Sequence, residues 1–398
     1  LSPLAIIVYC GVLMSISSFA IDITLPAFSE MVVRLDAPYA TVQWTVTAYM
    51  FAAGLAQLVW GPASDRFGRR PVMAIGLSVF LLGSVLTSLA PTIEWLLAGR
   101  LLQGFGAAAA IVLARAILRD LYSGQELARN LALAWAIFAV GPILAPLAGA
   151  AVLVPFGWRS VYALLGVIGI GLLLPLIWLK ETIPHRSPDA LRPAILWRGL
   201  VRLFAHPQSR YFLLLSAPVM SVMVFNLSAL PRVYDVSFGV TGVGFALLFA
   251  LHGTGIVVGQ LINRRMIPIF GTVPAMLAAN GILILSAALM VLFSLVGWIN
   301  AYLMTAMLIL FATGYLVVFS NASALVLDPH GEIAGFAAAV FGVVSQIGAA
   351  IIVSVLVVFA GGSALAYSFL LLCVCAVTFM LIAWWHYRHG SARALRPL

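Results

Sequence analysis

Apolar runs of about 20 residues follow one another along nearly the whole chain, separated by short polar or Gly/Pro-containing breaks. They lack the residue-by-residue alternation of a half-buried strand, so each predicts a helix long enough to cross a hydrocarbon core of roughly 30 Å. Twelve spans are expected, at 4-27, 41-62, 72-90, 95-117, 130-154, 160-179, 210-231, 241-262, 273-295, 298-320, 333-358 and 364-386. The connections are short except for one polar stretch near 180-209.

Composition agrees with that pattern and narrows it. Of 398 residues, 64% are hydrophobic and 8% charged, against about 25% charged in soluble domains. An outer-membrane barrel would show alternating segments of about ten residues, and the runs here are continuous. The fold class is therefore all-α and membrane-spanning. Cys10, Cys373 and Cys375 all fall inside apolar runs, so they are read as packing residues rather than a disulfide framework. The first residues already belong to the first span and carry no cleavage-site pattern, so they are not read as a signal peptide.

Charge asymmetry sets the expected orientation. With a cytoplasmic N-terminus, 16 of the 21 Lys and Arg residues fall in cytoplasmic segments and 3 (Arg34, Arg159 and Arg232) on the opposite side. Arg100 and Arg115 stay within spans. Both termini are then cytoplasmic. The formal charge of +9 is mostly a topology signal with an anionic lipid surface as its partner, and no basic face clear of the membrane suggests nucleic acid.

The chain also resembles itself. Gly61-Pro62-Ala63-Ser64-Asp65-Arg66, with Phe67-Gly68 and Pro71, recurs as Gly259-Gln260-Leu261-Ile262-Asn263-Arg264, with Phe270-Gly271 and Pro274, at an offset of 198 growing to 203 residues. Two six-span halves are expected, residues 1-180 and 210-388, joined by a cytoplasmic loop at 181-209 and followed by a tail at 389-398. Parallel halves of this kind place a shared substrate site at their interface near the bilayer midplane.

The segment Gly61-Pro62-Ala63-Ser64-Asp65-Arg66-Phe67-Gly68-Arg69-Arg70-Pro71 reads first as a turn with positive-inside arginines. Its fixed order resembles the hallmark of the major facilitator superfamily, which carries this motif after its second span. The resemblance implies two pseudo-symmetric six-helix bundles and a cytoplasmic gate at Gly61, Asp65, Arg66, Gly68, Arg69 and Arg70. Asp65, Arg66 and Arg70 would hold that gate through charge contacts and a helix dipole. Arg100-Leu101-Leu102-Gln103-Gly104 looks like the superfamily's arginine motif of the fourth span. Gly141-Pro142-Ile143-Leu144-Ala145-Pro146-Leu147-Ala148-Gly149 is similar to the Gly-Pro motif of its antiporter branch, although the usual pair of closing glycines is Gly149-Ala150 here. Asp22 with Pro26, the run Ala114-Arg115-Ala116-Ile117-Leu118-Arg119-Asp120-Leu121-Tyr122, Gly157-Trp158-Arg159 and Pro231-Arg232-Val233 together resemble the Bcr/CflA drug:proton antiporters, which export bicyclomycin, chloramphenicol and florfenicol.

A carboxylate or guanidinium inside an apolar helix is costly unless it is paired or hydrated. Asp22 lies about five residues from the outer end of span one and Arg100 about six from that of span four, depths of roughly 8 and 9 Å at about 1.5 Å per residue. The two are expected to meet. In related exporters a first-span Asp and this Arg are implicated in proton coupling, which makes the pair candidates for that role. His252, the other titratable group at membrane depth, is a further candidate for proton coupling or substrate contact, although a lone histidine is commonly a packing residue. Some relatives carry a second acid two turns before Asp22, where this chain has Met14. Neutral or zwitterionic substrates suit that departure.

If the resemblance holds, spans one, two, four, five, seven, eight, ten and eleven line the cavity. Tyr49, Trp135, Phe225, Asn226, Tyr315 and Gln346 are then candidate substrate contacts, suited to an apolar pocket with a few polar anchors. No metal-ligand spacing, Walker lysine motif, HExxH or GxSxG occurs. No enzyme, metal or cofactor is expected. The expectation is a monomeric inner-membrane exporter of small, largely apolar compounds such as phenicols, bicyclomycin or sulfonamides, energised by protons. Alternatives are export of an endogenous metabolite or metallophore, proton-coupled uptake on the same fold, and a transporter-like sensor.

Overall fold

The computed structural model describes residues 2–122, 124–183, 186–190 and 192–389. The expected 389-398 tail falls outside them beyond its first residue. The helices are α1 (Pro3–Asp22), α2 (Phe28–Arg34), α3 (Tyr39–Phe67), α4 (Arg69–Ser88), α5 (Ile93–Leu121), α6 (Gly124–Phe156), α7 (Trp158–Leu173), α8 (Pro193–Ala205), α9 (Pro207–Phe238), α10 (Gly242–Phe270), α11 (Thr272–Leu295), α12 (Ala301–Leu327), α13 (Ala334–Ala360) and α14 (Ala364–His389). No strand occurs among the described residues.

Among the described residues, ten helical segments are long and apolar enough to cross a membrane. α3 and α6 are the two further long helices, and α6 contributes the shorter apolar stretch Val140–Phe156. α3 is less apolar because Gln43, Thr45 and Gln57 interrupt it, and all three are buried. Those polar side chains face protein, since α3 is packed between α5 and α13.

The helices sort into two sets by packing. In the first, α1 packs on α6, α3 on α5 and α4 on α5; in the second, α9 packs on α13, α10 on α12 and α11 on α12. The same pairing scheme thus appears twice, as the internal repeat predicts. Small residues permit the close approaches: a Cβ on Gly106 would lie 2.3 Å from the Phe80 nitrogen, a separation only a side-chain-free position allows. The sets meet chiefly through α3 against α13 and α6 against α10.

Two details depart from the sequence reading. The first span breaks at Asp22, makes a 3-10 turn over Leu25–Ala27 and resumes as α2 to Arg34. Pro26 has no N–H to return to the Asp22 carbonyl, and the Thr24 hydroxyl donates to the Ile21 carbonyl at 2.7 Å. The polar 181-209 connection contains a helix, α8, whose Leu203 is buried while Trp197 is exposed. Its apolar and basic positions separate at helical spacing, a signal that the overall polarity of the stretch conceals.

Candidate site between the two helical sets

Arg100 is completely buried and is not ion-paired with Asp22. Its Nε donates to the Thr45 carbonyl at 3.1 Å, and Nη1 donates to the Ala20 carbonyl at 3.1 Å and to Gln103 Oε1 at 2.6 Å. The guanidinium lies 4.4 Å from the Tyr49 ring centre and 5.8 Å from that of Tyr162. It therefore fastens α1, α3, α5 and α7 together, and neither snorkelling nor pairing with a carboxylate describes it. Depth alone predicted a meeting with Asp22, and the level is right, because Arg100 reaches a carbonyl two residues away. Two residues are about 200° around a helix, however, and that rotation turns Asp22 elsewhere.

Asp22 is also buried. Oδ2 accepts from the Ser18 hydroxyl at 2.9 Å, and Oδ1 has no partner. Asp22 and the Tyr315 phenol of α12 lie within electrostatic range of each other, across the boundary between the sets. Tyr315 in turn stacks with His252 of α10, ring centres 6.2 Å apart and 11° from parallel. Phe249 packs on His252 at 5.3 Å, and His252 Nε2 is buried without a partner. Asp22, Tyr315 and His252 thus form a polar cluster drawn from both sets, with two unsatisfied buried atoms.

The other pocket candidates separate. Tyr49 faces Arg100 and accepts no place in this cluster, its hydroxyl donating to Ser17 at 3.3 Å. Phe225 stacks on Tyr367 of α14 at 5.2 Å, and the Tyr367 hydroxyl donates to Asn226 Oδ1. Both therefore look into the second set. Gln346 of α13 packs against Gly54 of α3, with Oε1 unpartnered. The side chain of Trp135 lies outside the described residues.

α6 carries Pro142 and Pro146 inside its length and packs on α1. Gly141 approaches Ser15, and a Cβ on Gly149 would lie 2.0 Å from the Ile23 carbonyl oxygen, so the motif's last glycine is required by the chain break beside Asp22. Near the arginine-poor end, polar contacts cross between the sets. Gln43 donates to the Ser228 carbonyl, the Ser29 hydroxyl donates to Asp235 at 3.3 Å, and Arg232 lies 5.0 Å over the Tyr39 ring.

At the arginine-rich end, Arg69 is the hub of the motif. Its Nε donates to Asp120 Oδ2 at 2.8 Å, and Nη1 donates to Asp65 Oδ1 and Ser64 Oγ at 2.6 Å each. The Arg69 backbone N–H donates to Glu181 at 2.8 Å. Arg66 instead lies 5.2 Å over Phe67, and Arg70 reaches the Ile177 carbonyl at 3.5 Å. Gly61 approaches Val112. Gly68 has φ +106°, and a Cβ there would lie 2.5 Å from Glu181 Oε2. Asp120 and Glu181 received no role from the sequence. Asp120 carried a signal, an acid closing a helix of arginines, whereas Glu181 is 112 residues from Arg69 and carried none.

A family model of the Major Facilitator Superfamily matches residues 10–353. The chain belongs to that superfamily. An uncharacterized transporter of this superfamily type, YdgK from Bacillus subtilis (strain 168), is 31% identical over 345 residues, covering 85% of each chain. A bicyclomycin resistance protein homolog from Haemophilus influenzae is 26% identical over 342 residues, covering 86% of each chain. The partially occluded inward-open xylose transporter XylE from E. coli shares the fold, with a TM-score of 0.73 and 14% identity over 97% of this chain and 98% of that one. Superfamily membership makes this chain a multi-pass membrane transporter rather than an enzyme.

Proposed function

We propose that this transporter is a proton-coupled exporter of small, largely apolar compounds in a bacterial inner membrane, with its arginine-rich end in the cytoplasm. The observation that carries the proposal is Asp22, a buried carboxylate with no cationic partner among the described residues and one free oxygen, beside the 3-10 turn that packs on α9 and α10 of the other set. A proton on Oδ1 would break no protein contact, and Tyr315 and His252 face the same place from the other set. Rocking the sets apart would expose Asp22 to one side of the membrane and then the other, which is what exchange of a proton for a substrate requires. The Gly-Pro motif on α6 and similarity to a protein named for bicyclomycin resistance favour export over uptake.

The test is substrate-induced proton release from purified Asp22→Asn protein, with substrates first identified in inverted vesicles among phenicols, bicyclomycin, sulfonamides and cationic dyes. Loss of release with retained substrate binding is expected. Normal release from the variant would remove Asp22 from the coupling step, and accumulation that ignores collapse of an imposed pH gradient would overturn proton coupling itself.

A further inference from the structure

One arginine within a span is absorbed neither by the packing of the first helical set nor by the cluster at Asp22. Arg115 of α5 is half-buried, and its Nε donates to the Ile111 carbonyl at 3.2 Å. Among the described residues no carboxylate lies within ion-pair distance of it, and its terminal amines have no hydrogen-bond partner. The neighbouring acid on the same helix, Asp120, is already held by Arg69.

Its direction follows from the helix. Gly106 of α5 is pressed against α4, and Arg115 is nine residues further on, about 900° or half a turn beyond whole turns. The side chain therefore leaves α5 on the side opposite α4, where α5 also packs on α1 and α3. Snorkelling does not account for it. The Nε bond reaches one turn back along α5, away from the arginine-rich end, so the guanidinium head sits near the level of Ile111. That is ten residues from Leu121, about 15 Å along the axis. An unpaired cation at such a depth marks a pathway or a ligand.

We propose that Arg115 is an anion-recognising subsite of the translocation path, and that it takes the carboxylate of an otherwise apolar small molecule. A guanidinium whose two terminal amines are free matches a planar carboxylate through paired, charge-assisted hydrogen bonds. The half-buried Ile111 and Val112 beside it supply apolar surface for the rest of the ligand. Asp22 lies towards the opposite end of the path, so the first helical set presents a cationic contact at one level and an acid at another. This suits carboxylate-bearing or zwitterionic molecules better than simple cations. The proposal rests on the exporter reading for the route it assigns, but its readout is binding and does not depend on proton coupling or on the direction of transport.

The experiment compares 2-naphthoate with 2-naphthamide, two probes of nearly equal shape, by calorimetry on the full chain in phosphatidylcholine nanodiscs. Wild-type protein is expected to bind the naphthoate about tenfold more tightly, the difference one charge-assisted contact commonly makes. Arg115→Gln should abolish the preference while leaving naphthamide affinity unchanged, which also shows the variant is folded. Arg115→Lys should keep a reduced preference, and Arg119→Gln, at an exposed position on the same helix, should behave as wild type. No preference in wild-type protein, or a preference that survives Arg115→Gln, overturns the proposal. A preference that vanishes from wild-type protein when phosphatidylglycerol is added assigns the site to a lipid headgroup and also overturns it; persistence supports a soluble carboxylate.

Discussion

The turns after the second and eighth spans carry one repeated pattern, yet charges hold the first and amides hold the second. Asp65 reaches α5 through Arg69 and Asp120. Its counterpart Asn263 reaches α12 directly: Asn263 and Asn321 exchange hydrogen bonds at 3.0 and 3.3 Å. Gly68 and Gly271, at φ +106° and +89°, close the two helices in the same way. Position 272, which corresponds to Arg69, holds a buried threonine. A buried ion network is costly to break at one partner, because the remaining charge is stranded, whereas a neutral amide pair loses two hydrogen bonds and strands no charge. The same geometry is thus built once from groups that resist partial opening and once from groups that tolerate it.

Removing the hub should have the largest effect. Arg69→Ala leaves the Asp120 carboxylate buried and unpaired, and is expected to destabilise by about 3–5 kcal/mol, read as a lowered midpoint of thermal unfolding in detergent. Arg69→Ala with Asp120→Ala should cost less than the single change. Gly68→Ala should follow, at about 1–3 kcal/mol for a non-glycine residue held at positive φ, with a further loss from the clash with Glu181 that Glu181→Ala recovers. Gly271→Ala should show the same backbone cost, because it too holds a positive φ. Asn263→Asp puts a carboxylate where the position corresponding to Arg69 holds Thr272 and should cost about 1–3 kcal/mol, partly restored by adding Thr272→Arg; full stability of the single variant would remove the contrast between the turns. The smallest effect is expected at Asp65→Asn, because that side chain is 42% exposed, and a surface pair contributes about 0–1 kcal/mol.

Much of this architecture is written locally in the chain. Span length, the recurrence of the Gly61 pattern at Gly259, and the prolines of α6 all act within one helix or one turn, so they are legible without coordinates. The exceptions are long-range. Rise per residue put Asp22 and Arg100 at one level, but which way each side chain turns depends on the neighbours of its helix, and Arg100 found carbonyls of α1 and α3. Three arginines crowd the motif, and only packing of α4 on α5 decides that Arg69, rather than Arg66 or Arg70, is the one enclosed. Phe225 and Asn226 had suitable chemistry and depth, yet they face Tyr367, which a single-helix reading has no means to anticipate.

Gly149 against the Ile23 carbonyl has a consequence for electrical tightness. A contact with no room for a methyl group has none for a hydrated ion or a file of water either. It lies beside the chain break that follows Asp22, where the helix gives way to a 3-10 turn. Close packing at that point leaves no leak beside the chain break, so the glycine guards the membrane voltage as well as the shape of the bundle.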